Sequence, residues 1–305
     1  MSVAIAQRES IPAEYLAPLQ ESSHLLEDGQ ALRQKLTDDG YVYLREFFPR
    51  DDIMAAREAI FRRLAEVGEV EEPLLEGIYS GTSQRLEKVQ ALGQDLGQFW
   101  RSVSETWALR RLSHGRQLHE LMDKLLDGKS RAQDYIFLRP ANPGKHTAIH
   151  CDYPFFTRHT DTVATTWVAL GDVPLTLGPL FVIEGSHRFQ DIIDDYRGFD
   201  IARDNTRKAA FPQTPLEFAR QRNTRLLSTD FSAGDIVIFG MFLLHGALDN
   251  IAPDRRMRLS CDVRYQLAES ATDPRYFGPD PTGTTGTGYG ELVGAKPLTE
   301  AWHVR

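Results

Sequence analysis

Thr147-Ala148-Ile149-His150-Cys151-Asp152-Tyr153-Pro154-Phe155-Phe156 is the stretch on which the reading of this chain turns. It follows the turn Pro143-Gly144-Lys145 and reads as a strand ending in an aromatic run. Alternate side chains of a strand share a face, so His150 and Asp152 point one way and Cys151 the other. An imidazole and a carboxylate at that spacing supply two of the three protein ligands of a facial Fe(II) site, which keeps positions open for substrate and oxygen. His-x-Asp alone is a common pattern, so a third ligand and a scaffold have to come from elsewhere in the chain.

Of nine histidines, His245 is the one that closes a buried strand. The turn Gly234-Asp235 opens Ile236-Val237-Ile238-Phe239, and Met241 to Leu244 delivers His245 beside Gly246. Past it come the turn Asp249-Asn250-Ile251-Ala252-Pro253-Asp254 and the run Arg255-Arg256-Met257-Arg258-Leu259-Ser260. An oxygenase that decarboxylates a keto acid has to hold that acid's far carboxylate, and a guanidinium fork matches a carboxylate in two hydrogen bonds. Arg256 and Arg258 have the same strand parity, so spacing leaves both open. Arg255 reads as a solvated edge charge.

Working outward, short strands are expected at Tyr135–Leu138, Thr162–Leu170, Leu180–Ile183, Arg225–Ser228, Asp235–Leu248 and Met257–Gln266, separated by Gly, Pro and Asp turns. Such a series indicates a sandwich or barrel. The segment Asp191–Asn223 interrupts it with a polar loop and a helix at Pro215–Arg222, the pattern of a lid or binding loop. Upstream, Leu25–Leu36 has helical spacing, Tyr41–Leu44 reads as a strand, and Ile53, Ala56, Ile60 and Leu64 fall on one helical face. Residues 84–127 read as two or three helices, and residues 1–23 as an undetermined arm. The tail from Thr272 is loop-like, with a short docking helix at Leu298–Trp302. A single domain is expected: a helical part over about 1–130, a core over about 134–267 and a loop-rich tail over 268–305.

The chain of 305 residues carries net charge −8 and no basic block, which argues against nucleic acid as a partner. Its longest apolar run, Ile236 to Leu244, is far short of the ~20 residues of a membrane span. Two cysteines make no disulfide framework and suit a reducing cytoplasm, and no signal-peptide pattern opens the chain. Two rival chemistries are set aside. His146 and His150 would pair on a helix, but their surroundings read as strand, and no His-Glu-x-x-His pattern occurs. Cys151 has no base and orienting group nearby to make it a nucleophile.

The chain resembles the phytanoyl-CoA dioxygenase family of Fe(II)/2-oxoglutarate oxygenases over roughly Asp39 to Tyr265. The resemblance is carried by Asp39-Gly40-Tyr41-Val42-Tyr43-Leu44, His150-Cys151-Asp152, Trp167 to Asp172, Gly178-Pro179-Leu180 through Gly185-Ser186-His187-Arg188, Ala233-Gly234-Asp235 through Phe239, and His245-Gly246 through Arg256. It implies a mainly β chain with flanking helices and a double-stranded β-helix core, the jelly roll or cupin-like fold. It implies an enzyme with Fe(II), 2-oxoglutarate and O2, helped by ascorbate in vitro. The expected reaction is hydroxylation of a small-molecule C–H bond with release of succinate and CO2. Desaturation or ring closure at the same iron is the alternative, and a non-catalytic jelly-roll binding protein the rival from another class. His150, Asp152 and His245 match the iron ligands. Arg256, eleven residues after the second His, matches the 2-oxoglutarate anchor, with Arg258 in reserve. Trp167 matches an aromatic beside the co-substrate, and Tyr135 and Phe137 lie on a strand that helps form its pocket. His187 reads as structural. Ala247 stands where many relatives have Ser. Asp152 stands where related halogenases have a small residue, which favours oxidation without halide.

Overall fold

The computed structural model describes residues 4–278 other than 92, 94, 95, 157, 159, 161 and 205. Eleven strands form its two main sheets: β1 (Leu16–Ala17), β2 (Tyr41–Leu44), β3 (Ser130–Ala132), β4 (Phe137–Ala141), β5 (Thr147–His150), β6 (Ala164–Ala169), β7 (Leu180–Ile183), β8 (Leu226–Leu227), β9 (Ile236–Gly240), β10 (His245–Ala247) and β11 (Arg258–Leu267). The major sheet runs β2-β9-β6-β11-β3, with β4 also on β11; the minor sheet runs β1-β8-β7-β10-β5. All pairings are antiparallel except β1 with β8.

The inner faces of the two sheets meet over one apolar cluster. Tyr43, Trp167, Val237 and Phe239 from the major sheet pack there with Leu180, Val182 and Leu227 from the minor sheet. Residues of opposite parity on the major sheet, Val42, Val168, Ile238, Cys261 and Val263 among them, belong to a larger cluster with the helices. The major sheet is thus buried on both faces, and its strands are near-continuous apolar runs for that reason. The outer layer is α1 (Gly29–Asp39), α2 (Arg50–Glu66), α3 (Arg85–Ala91), α4 (Leu96–Ser104), α5 (Trp107–Ser113) and α6 (Arg116–Leu126). Helix α2 carries acidic Asp51 and Asp52 in its first turn and buries Ile53, Ala56, Ile60, Phe61 and Leu64. Burying each of the Ile, Phe and Leu side chains contributes about 1.5–3 kcal/mol. Helix α1 begins where the Asp28 side chain accepts from Ala31 N and ends at Gly40, whose φ of 82° is the left-handed conformation that suits glycine.

Three expectations change. Residues 4–17 are not a loose arm: Ile5–Ala6 and Glu9–Ser10 pair as a hairpin, Asp249 accepts from the backbone N–H of Gln7 and Arg8, and β1 joins the minor sheet. The helical N-terminal part therefore contributes strands to both sheets. The strand expected through Phe156 stops at His150, and a helical turn, α7 (Tyr153–Phe156), follows. The strand near Tyr135 is shifted to Phe137–Ala141 and includes Pro140, tolerated because β4 pairs on one side only. The insertion forms α8 (Gln190–Tyr196) and α9 (Pro215–Arg222), the latter with a full capping box between Thr214 and Glu217. Among the described residues, no helix is long and apolar enough to cross a membrane. Leu298–Trp302 lies outside the described residues.

Candidate metal and co-substrate site

His150 ends β5, His245 begins β10, and the two are direct cross-strand partners with ring centroids 4.3 Å apart. Each Nδ1 lies 3.0 Å from a backbone carbonyl, Ala148 O and Leu243 O respectively. A carbonyl only accepts, so each Nδ1 carries the proton and each Nε2 keeps its lone pair. The chain bends at Asp152 before entering α7, which turns the carboxylate toward the two rings. One candidate ligand atom from each of His150, Asp152 and His245 lies within 4.8 Å of the others, and all three residues are buried.

The two oxygens of Asp152 differ. Oδ2 accepts from Thr165 Oγ1 at 2.5 Å and from Arg264 Nη2 at 3.0 Å. Oδ1 is buried without a hydrogen-bond partner among the described residues and lies 3.9 Å from His245 Nε2. Burial pushes His150 down to about 3, with His245 adding to the effect against Asp152. Burial lowers His245 as well. Burial alone would raise the Asp152 carboxyl, but Arg264, His245, His150 and the Thr165 hydroxyl outweigh it and hold it below the usual carboxylate range. At neutral pH the site is two neutral imidazoles and one carboxylate with an orphaned oxygen, and that donor set fits divalent iron.

A cavity beside the triad is lined by Trp167, Phe239, Ala247 and Arg258 together with the ion-paired Arg139 and Asp262. Its free volume is about 20 Å³. Arg258 is 3% exposed, donates from Nη1 to Ser260 Oγ at 2.5 Å, and has no partner for Nε among the described residues. Burial lowers this guanidinium to about 10, so it remains a cation at neutral pH.

The structure does not bring Arg256 to this cavity. The strand begins only at Arg258; Arg256 lies before it, where its backbone bridges Ile78. Arg256 instead pairs with Asp254 at 2.6 Å with 40% of its side chain exposed. Tyr135 is also absent from the lining; it packs edge-on against Phe137 and Tyr276. Phe155 packs edge-on against His150 with ring centroids 6.3 Å apart, and Phe156 packs against Phe137 and Tyr276; neither is in the cavity lining. His187 bonds Thr37 O, away from the triad, and His114 and His119 pack in the helical layer. Cys151 is fully buried, and burial pushes its thiol up to about 12, which leaves no thiolate for nucleophilic attack.

Sequence reading missed Thr165, Arg264, Arg139 and Asp262. A signal existed: Arg258, Ser260, Asp262 and Arg264 alternate with Leu259, Cys261, Val263 and Tyr265. Such alternation reads as a strand with one wet face. Here the polar face points inward, because the helices cover the other one.

The model of the family described as Phytanoyl-CoA dioxygenase (PhyH) matches residues 36–258, a span that contains the whole triad. The chain belongs to the phytanoyl-CoA dioxygenase family. It is an enzyme, an iron- and 2-oxoglutarate-dependent oxygenase, and not a binding module. The oxygenase is 25% identical over 261 residues to 1-deoxypentalenic acid 11-beta-hydroxylase of Streptomyces arenae, covering 81% of this chain and 84% of that protein. The protein of the same name from Streptomyces exfoliatus is 24% identical over 258 residues, with the same coverage. Among solved structures, the epimerase SnoN in complex with Fe3+, alpha ketoglutarate and nogalamycin RO superposes with TM-score 0.56 at 21% identity, over 90% of this chain and 97% of that one. The carbocyclase SnoK from nogalamycin biosynthesis gives 0.54 at 19%, over 84% and 90%. Likeness at those identities concerns the fold, and the two-sheet core here is the jelly roll they share.

Proposed function

We propose that the oxygenase hydroxylates a C–H bond of a small-molecule metabolite, with Fe(II) held by His150, Asp152 and His245 and 2-oxoglutarate anchored through its distal carboxylate by Arg258. Bound iron supplies oxygen activation coupled to conversion of 2-oxoglutarate to succinate and CO2. The protein's own groups set the stage for it. Ala148 O and Leu243 O fix both imidazole tautomers, so that Nε2 of each keeps a lone pair with which it would hold the metal. Arg258 offers a buried cation that no carboxylate of the described residues neutralises, and this observation carries the choice of anchor over Arg256. Trp167 and Phe239 form apolar walls, and Ser260 Oγ orients the guanidinium. A space of about 20 Å³ holds roughly one water. Entry of a five-carbon diacid therefore requires lining side chains to shift, and Arg139 is the more exposed of its two arginines.

The names of the two hydroxylase relatives support a small organic molecule as substrate. We read residues 1–305 as one oxygenase domain, supported by an apolar cluster running from Ala4 to Phe277, and as cytoplasmic, in keeping with two buried free thiols. The test is succinate release by purified protein given Fe(II), ascorbate and 2-oxoglutarate, followed by mass spectrometry against a metabolite pool. A product that gains one oxygen is expected; loss of two hydrogens would replace hydroxylation by desaturation or ring closure. Full succinate release by Asp152→Ala would overturn the site assignment.

A further inference from the structure

The geometry points to Arg264 as a positioning residue that, together with Thr165, restricts Asp152 to a one-oxygen ligand. This rests on the reading of His150, Asp152 and His245 as the metal site. Thr165 on β6 and Arg264 on β11 are direct cross-strand partners, so both side chains leave the inner face of the major sheet at the same level. Both donate to the same atom, Asp152 Oδ2. Its two donors occupy the directions a metal would need at that oxygen, and only Oδ1 remains. A carboxylate free to rotate could present either oxygen, or both; this one cannot turn without breaking two hydrogen bonds inside a dry core.

The clamp is itself held. Arg264 is fully buried, with its guanidinium carbon 4.2 Å from the Phe137 ring centroid and 4.6 Å from that of Phe156. Phe137 comes from β4 and Phe156 from α7, the turn that begins one residue after Asp152. That turn is tied in place by Arg275 Nη2 and Tyr276 Oη, which both donate to Phe155 O. The two rings stand edge to face at 81° with centroids 6.0 Å apart, and a planar fork can stack on them while its Nη2 reaches Asp152; a Lys ammonium would keep the charge without the fork. The arrangement thus selects Arg over Lys and fixes where its Nη2 lies relative to the aspartate. Arg264 Nη2 lies 3.0 Å from Asp152 Oδ2 and 3.6 Å from Asp262 Oδ2 in the cavity lining; only the first is a hydrogen bond, and through it Arg264 acts on the metal site.

The experiment is titration of Co(II) into the metal-free full chain, by calorimetry and by the d–d absorption of the bound ion, for wild type, Arg264→Lys, Arg264→Met, Thr165→Val and Asp152→Ala. Loss of an outer partner of a metal ligand typically costs about 10–100-fold in affinity. Arg264→Met should weaken Co(II) binding by that factor and alter the absorption spectrum, and Arg264→Lys should recover only part of the loss. Because Arg264 and Thr165 act on one oxygen, the double variant Arg264→Lys/Thr165→Val should depart from additivity. Wild-type affinity and spectrum in a folded Arg264→Met, with only the melting temperature lowered, would show that Arg264 merely fills the core. If Arg264→Met does not fold, additive or absent effects of Arg264→Lys and Thr165→Val overturn the proposal equally. Wild-type protein that binds no better than Asp152→Ala would instead sink the reading of the triad itself.

Discussion

Replacing Arg258 by Met and, separately, Arg256 by Met tests which arginine anchors 2-oxoglutarate. Arg258 is 3% exposed, satisfied in part by a neutral hydroxyl, and paired with no carboxylate among the described residues. The incoming carboxylate would be its ionic partner in a site shielded from water. Truncating one side of a buried, hydrogen-bonded charge pair costs about 2–5 kcal/mol. Taking ~3 kcal/mol at 1.36 kcal/mol per decade gives a loss of about 100- to 200-fold in 2-oxoglutarate affinity. Arg256 is 40% exposed and already occupied by Asp254. A surface pair is worth about 0–1 kcal/mol, so Arg256→Met should change that affinity by less than about fivefold. Met preserves much of the side-chain volume, and replacing a buried charge by an apolar group of similar size is often neutral for folding, so Arg258→Met should melt near wild type. The assay is calorimetry of 2-oxoglutarate into protein loaded with Mn(II), repeated as KM from succinate release. The reasoning is refuted if Arg256→Met loses about 100-fold while Arg258→Met stays within about threefold of wild type.

Asp152→Ala removes the oxygen that has no partner among the described residues and should abolish both tight Co(II) binding and succinate release, with the metal-free fold intact by circular dichroism. Gly246→Ala should destabilise by about 1–3 kcal/mol, read as a lower urea midpoint, because a Cβ there would sit 2.6 Å from Thr147 O and from the Phe181 ring, forcing β5 and β10 apart beside both ligating histidines. Asp200 supplies the pH prediction. Burial alone would raise its carboxyl, but Arg158, Ala202 N and Arg275 hold it below the usual range. A carboxylate depressed in the folded state contributes stability that is complete above its unfolded value of about 4 and lost as pH falls through the folded value. Wild type should therefore lose more stability than Asp200→Asn between pH 6 and pH 3 in urea titrations; equal losses would contradict the pairing of Asp200 with Arg158 and Arg275.

Much of the site was legible because its signals are local. His150, Asp152 and His245 stand out as polar groups set into apolar strands, and the barrel follows from short strands cut by turns. Which arginine lines the cavity was not legible. Parity counted back from Ser260 treats Arg256 and Arg258 alike, and only the fold shows that the strand begins at Arg258 while Arg256 bridges Ile78 before it. Tyr135 lies outside the cavity lining, on the approach to a strand that starts two residues later than its apolar run suggests.

The sequence by itself determined the family, the two-sheet core and the three residues that converge, because hydrophobic periodicity and turn chemistry are properties of neighbouring residues. Only the tertiary structure decided which face of β11 is inward, and with it where Arg258 and Arg264 lie. Thr165 and Arg264 lie 99 positions apart in the chain, and each gains its meaning only from standing opposite the other above Asp152. Which of two alternating faces is buried depends on what packs against the sheet, and in this protein the helices of the first half took the apolar face and left the polar one to the iron site.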